Sequence, residues 1–272
     1  MDKPREPILN VPLVVVVMLL VLAGVHAVRV LILPDDVDQI LVWSFAFVPA
    51  RYDAGVLADG VLPGGWGAEL WTFLTYALLH ADLTHLGFNS IWLLAFASPV
   101  ARRFGAARFL VFFAVTVIAG AVAYLVVHPG QLAPMIGASA GISGMMGASA
   151  RFAFEPGGSL DMRRGARSNA DRVPAARLGA ALRNPRVVTF LAVWFGLNLL
   201  FGLGSVSFVD SNQAVAWEAH IGGFLAGLLL FSPFDPVAPA PTDAPPALDD
   251  SPPLLPPEPP ISPPPGDRPT FH

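Results

Sequence analysis

The chain has 272 residues, of which 54% are hydrophobic and only 13% charged. Soluble domains run near 25% charged, so this composition excludes an ordinary cytosolic protein and a disordered one, and points to a polytopic membrane protein. A formal charge of -4 offers no basic patch for nucleic acid, and the absence of cysteine removes disulfides, thiolate metal sites and a cysteine nucleophile.

A hydrocarbon slab of about 30 Å needs apolar runs of about 20 residues, and such runs recur along the chain. Residues 1–7 form a short N-terminus. The first run, Ile8–Ile32, is too long for a signal-peptide core, and no small-residue cleavage site follows it. The loop from Leu33 to Glu69 is long and apolar, and reads as segments in the outer interface anchored by Trp43 and Trp66. Further runs follow at Leu70–Val100, Arg108–Val127 and Met135–Phe154. A basic loop, 151–186, then leads to Val187–Leu203 and Ala214–Leu230. Helices satisfy their own backbone hydrogen bonds in lipid, so the expected fold is an all-α bundle of six transmembrane helices over residues 8–231. Sixteen of the 28 prolines fall in the tail 232–272, which lacks the apolar content for a core and reads as disordered. No internal repeat supports the paired halves of a transporter.

Arginine sets the orientation. Lys3 and Arg5 precede the first run, Arg102, Arg103 and Arg108 bracket the second-to-third turn, and eight arginines crowd 151–186. The other loops carry aspartates, with Arg51 nearly alone among cations. The positive-inside rule therefore places both termini in the cytoplasm and the remaining loops outside.

An ionisable or strongly polar group inside a span costs about 2.5–3.5 kcal/mol on insertion scales, so each is a functional candidate. His80, His85 and Asn89 stand out on the second helix, and His220 on the sixth. His85 and Asn89 are four apart and share a face. Ser139, Ser143 and Gly147 form a stripe of small side chains on the fourth helix; Ala219, Gly223 and Gly227 do the same on the sixth, beside His220. Such stripes let helix backbones approach closely. Ser139 is expected about 7–8 Å into its helix and His220 about 9 Å into its own, both from the outer side. A hydroxyl, an imidazole and further hydrogen-bond donors at similar depth are the inventory for acyl transfer: nucleophile, base and oxyanion donors.

These residues resemble the rhomboid family. The run His80–Asn89 (HADLTHLGFN) is similar to that family's second-helix signature, Gly137-Ala138-Ser139 and the glycine-rich run after it to the fourth-helix segment, and Ala219-His220-Ile221-Gly222-Gly223 to the sixth. The resemblance covers roughly residues 65–230. It implies an intramembrane serine protease of the basic six-helix bacterial form, with Ser139 as nucleophile and His220 as base in a dyad without aspartate. It also implies an oxyanion site of His85, Asn89 and the Ser139 N–H, and a less defined supporting role for His80.

Two departures from the family pattern bear on this. Ala140 follows Ser139 where glycine is common, and a literal GxSG falls at Gly141-Ile142-Ser143-Gly144, which would make Ser143 the nucleophile. Trp71-Thr72 stands where many members carry Trp-Arg. The longer glycine frame through Gly144 and Gly147 aligns Ser139, and Ser143 would lie about 6 Å deeper. The expected reaction is cleavage of transmembrane protein substrates near the outer face, in a bacterial inner membrane. No cofactor or metal is expected, because the histidines have catalytic or oxyanion duties. With no aspartate, packing on the glycine stripe is expected to orient the base, and motion of the fifth helix or the loop 202–212 to admit substrate. The alternative is a non-catalytic relative that binds membrane clients.

Overall fold

The structure is a computed structural model that describes residues 11–56, 62–161, 170–202 and 215–238. The N-terminal segment 1–7, the loop residues 203–214, Arg163, Arg164 and Arg167 of the basic loop, and the proline-rich tail from 239 onward lie outside the described residues.

Helix α1 (Leu13–Leu31) follows Pro12, and α2 (Asp35–Phe45) follows Pro34. Proline suits a helix start because the first N–H groups have no intrahelical acceptor to lose. Asp35, Asp36 and Asp38 occupy the first turn of α2, where the helix dipole favours anions. A 3-10 turn at Pro49–Tyr52 leads on to α3 (Ala68–Thr75), which ends in a further 3-10 turn, Tyr76–Leu78. After a non-helical break at 79–82, α4 (Leu83–Trp92) runs through a π-helical turn, Leu93–Ala97, into α5 (Ser98–Phe104). Gly105, at φ +76°, reverses the chain into α6 (Ala106–Val127). The rest comprises α7 (Ser139–Ser149), the short α8 (Leu178–Ala181), α9 (Pro185–Gly202), α10 (Trp217–Leu229) and a last turn, α11 (Phe231–Phe234). Among the described residues there is no strand. One isolated bridge, Phe47 to Met135, ties the stretch before α7 to the loop after α2.

The span expected at Leu70–Val100 is not one helix. Asp82 takes an extended conformation and its carboxylate accepts the His85 N–H at 2.8 Å, so the chain restarts there. The segment 70–78 instead belongs to α3 and its 3-10 turn, and α3 packs on α2. The helix expected to start at residue 70 thus starts at Leu83, after the break. Hydropathy could not reveal this, because the loop is nearly as apolar as a span.

Among the described residues two helices, α1 and α6, are long and apolar enough to cross a membrane, and Pro185–Leu200 of α9 is a shorter apolar stretch. The helices expected at Met135–Phe154 and Ala214–Leu230 contract to 11 and 13 residues, about 16 and 20 Å long. Their position explains this. Every residue of α7 from Ala140 to Ser149 is buried, enclosed by α10, α6 and the π-helical turn. A helix shielded by neighbours does not have to match the lipid thickness itself.

The contact between α7 and α10 is backbone on backbone. A Cβ at Gly223 would collide with the Ala140 carbonyl oxygen, and one at Gly227 with that of Gly144. Glycine at these two places is what allows the approach. At the far end from Ser139, Arg103 is buried under a cap of acceptors. Its guanidinium donates to both Asp235 oxygens at 2.8 Å and to the Asp171 and Val173 carbonyls, and lies 4.6 Å from the Phe152 ring centre. This ties α5 to the residues after α11.

Candidate active site

Ser139 is the first residue of α7. The chain reaches it through Gly137, whose φ of +118° is open to glycine and strained for other residues. Ser139 therefore sits at a helix N-terminus, not about five residues along a helix as expected. The first-turn N–H groups of a helix lack intrahelical acceptors and carry the positive end of its dipole. Those groups and the hydroxyl share one corner.

The close approach of α7 and α10 brings His220 to that corner. Its Nε2 lies 2.7 Å from Ser139 Oγ, and its Nδ1 lies 2.6 Å from Asn198 Oδ1 on α9. The Asn198 amide is itself fixed, because its Nδ2 donates to the Trp194 carbonyl at 2.8 Å. Oδ1 can only accept, so the His220 hydrogen belongs on Nδ1. Nε2 is then a lone pair aimed at the serine, and Ser139 donates to it. Packing alone does not orient the ring, contrary to expectation; an amide does. The signal for Asn198 was present in the sequence, as a strongly polar side chain inside an apolar run.

With both ring nitrogens of His220 engaged, neither is left for Ser143, which is buried one turn into α7. The geometry pairs the imidazole with Ser139 and not with the alternative.

His85 approaches from the third side. A Cβ at Gly137 would stand 2.7 Å from His85 Nε2 and 3.7 Å from Ser139 Oγ, so only the missing side chain lets this imidazole lie beside the serine. His85 Nδ1 accepts the Ala81 N–H at 3.4 Å, which leaves the hydrogen on Nε2, the atom facing Gly137. Asn89, also buried, donates to the His85 carbonyl at 3.0 Å, one turn back along α4. It stands behind His85 with a second amide hydrogen to give. His80 is fully buried with its ring 5.0 Å from that of His85, and does not bond Ser139 or His220. Near the start of α10, Glu218 holds His128, just past the end of α6, at 3.0 Å. Among the described residues no group of three His, Cys, Asp or Glu side chains could hold a metal ion.

Comparison with known proteins agrees with this architecture. A family profile described as the Rhomboid domain matches residues 67–234. The chain is 36% identical over 112 residues to the putative rhomboid protease YdcA of Bacillus subtilis, a match covering 40% of this chain and 55% of that protein. It is 38% identical over 80 residues to the rhomboid protease GluP of the same organism, covering 29% of this chain and 15% of GluP. To the rhomboid-like protease 3 of Toxoplasma gondii it is 28% identical over 189 residues, 70% of this chain and 61% of that protein. The matched regions thus span less than two thirds of these relatives' lengths. The profile match runs over most of the chain, from α3 to α11, and includes every residue that gathers around Ser139: the chain belongs to the rhomboid family.

Proposed function

We propose that this protein is an intramembrane serine endopeptidase that cleaves transmembrane segments of other membrane proteins near the outer face of the bilayer. The observation that carries this reading is the 2.7 Å contact between Ser139 Oγ and a His220 Nε2 whose hydrogen is committed to the other nitrogen.

The chemistry follows from that tautomer. Serine is a weak nucleophile, so His220 Nε2 takes the hydroxyl proton as Oγ bonds to the scissile carbonyl carbon. The oxygen of that carbonyl becomes an alkoxide. The His85 Nε2–H and the free N–H groups at the start of α7 would receive it, with the second amide hydrogen of Asn89 as a further proposed donor. Each such donor is worth about 2.7–4 kcal/mol in a site of low dielectric. The imidazolium then gives its proton to the departing amine, leaving an ester on Ser139. Water, deprotonated by the same Nε2, attacks that ester; its collapse returns the proton to Oγ and releases the acid. Asn198 keeps the ring oriented throughout. As a neutral amide it stabilises the imidazolium less than a carboxylate would.

Six spans fit this reading: α1, the continuous α4–α5, α6, α7, α9 and α10. The arginine distribution then puts both termini in the cytoplasm and Ser139 toward the outer side of a bacterial inner membrane. Residues 1–7 and 232–272 would be cytoplasmic. The substrate must leave its helical form at the cleaved bond, so helix-weakening residues are expected there.

The test is cleavage of a single-span reporter in liposomes by the wild type and by Ser139→Ala. Loss of cleavage in the variant supports the dyad. Equal cleavage by both removes it, and absence of cleavage by the wild type favours the client-binding alternative.

A further inference from the structure

His85 owes its position to a stretch of chain with no regular structure. Its N–H is held by Asp82 at 2.8 Å, its Nδ1 receives the Ala81 N–H at 3.4 Å, and the His80 ring lies edge-on at 5.0 Å. All three contacts come from the break at 79–82, which has no helical ladder to keep it in register. Something else has to hold the break.

Helix α1 supplies the hold. Arg29 is 7% exposed, and its Nε and Nη2 grip both oxygens of Asp38 at 2.7 and 3.0 Å. That pair alone would satisfy the charge. The remaining Nη1 donates to the His80 carbonyl at 2.9 Å, so one guanidinium joins α1, α2 and the break.

We propose that Arg29 is a positioning residue on α1 that clamps the break through the His80 carbonyl, so that His85 is held where it donates to the oxyanion. This rests on the hydrolase reading of Ser139 and His220. Arg29 does not touch substrate. It acts through the break that holds His85, so its loss should slow the chemical step while leaving substrate binding alone.

The test uses the full chain in liposomes or nanodiscs. Arg29→Gln leaves Asp38 without its partner and could unfold the protein, so the principal variant is Arg29→Met with Asp38→Leu, which removes both charges together. For this double variant, kcat and KM are measured on the reporter, with thermal unfolding and the nitrogen-15 spectrum of His85, assigned by its loss in His85→Gln. A misplacement of about 1 Å costs on the order of 100-fold in rate. The expectation is therefore a fall in kcat of about 10- to 100-fold, KM within about twofold of the wild type, and a displaced His85 resonance in protein that melts normally. Unchanged kcat with an unmoved resonance overturns the proposal, as does a loss that only tracks unfolding or falls on KM. If the wild type cleaves nothing, the hydrolase reading fails, and the His85 resonance alone decides whether α1 positions that ring.

Discussion

Asn198 Oδ1 accepts a hydrogen bond from His220 Nδ1 at 2.6 Å, and through it α9 determines which nitrogen of His220 faces Ser139. Asn198→Ala should leave the fold intact and lower kcat by about 10- to 100-fold, part of the 100- to 10,000-fold that a positioned base contributes. Steady-state kinetics on the reporter will show it. Equal rates would mean that packing alone orients the ring.

Gly223 has a different kind of importance. Its missing Cβ allows α10 to lie against the Ala140 carbonyl, and no rotamer change can relieve a clash with backbone. Gly223→Ala should lower stability by about 1–3 kcal/mol, as overpacking does, and reduce activity beyond the folded fraction lost. Thermal unfolding in detergent, paired with cleavage per folded molecule, separates the two effects. Gly24 has open space around its Cβ position and serves as the control, since Gly24→Ala should be nearly neutral in both.

At Gly137 both conformation and space oppose a side chain. Gly137→Ala would force alanine to φ +118° and drive its methyl toward His85 Nε2. The backbone strain is about 1–3 kcal/mol. Because the displaced groups are the proposed oxyanion donors, kcat should fall further than stability does. The measurement is the ratio of kcat to folded fraction, which should drop at least tenfold, on the scale of one lost oxyanion donor.

The Arg103–Asp235 pair lies at the opposite end and should touch stability alone. Asp235→Ala leaves a buried guanidinium unpaired, at a cost of about 3–5 kcal/mol. Replacing both partners, Arg103→Met with Asp235→Leu, should recover most of that. Unfolding curves for the single and double variants decide it, and cleavage per folded molecule should be the same in both.

Much of this was legible from residue types. Apolar runs located α1, α6 and α9 to within a few residues at most ends, because their lipid-facing surfaces impose the composition. Ser139 and His220 stood out as polar groups beside small-residue stripes, and those stripes are where the backbones meet. The break at 79–82 was not legible, because an apolar surface loop and an apolar span have the same hydropathy. The short α7 was hidden for a related reason: buried glycine and alanine look equally apolar inside or outside a helix. Asn198 was missed although it met the same criterion as Asn89, a polar side chain in an apolar run.

The central claim is that Ser139 is the nucleophile. A fluorophosphonate probe reacts with the hydroxyl that a base activates, so the site of its adduct can be read by mass spectrometry on the intact protein in detergent. We expect a single adduct on Ser139, lost in His220→Ala. An adduct on Ser143, or labelling that survives removal of His220, would contradict the account.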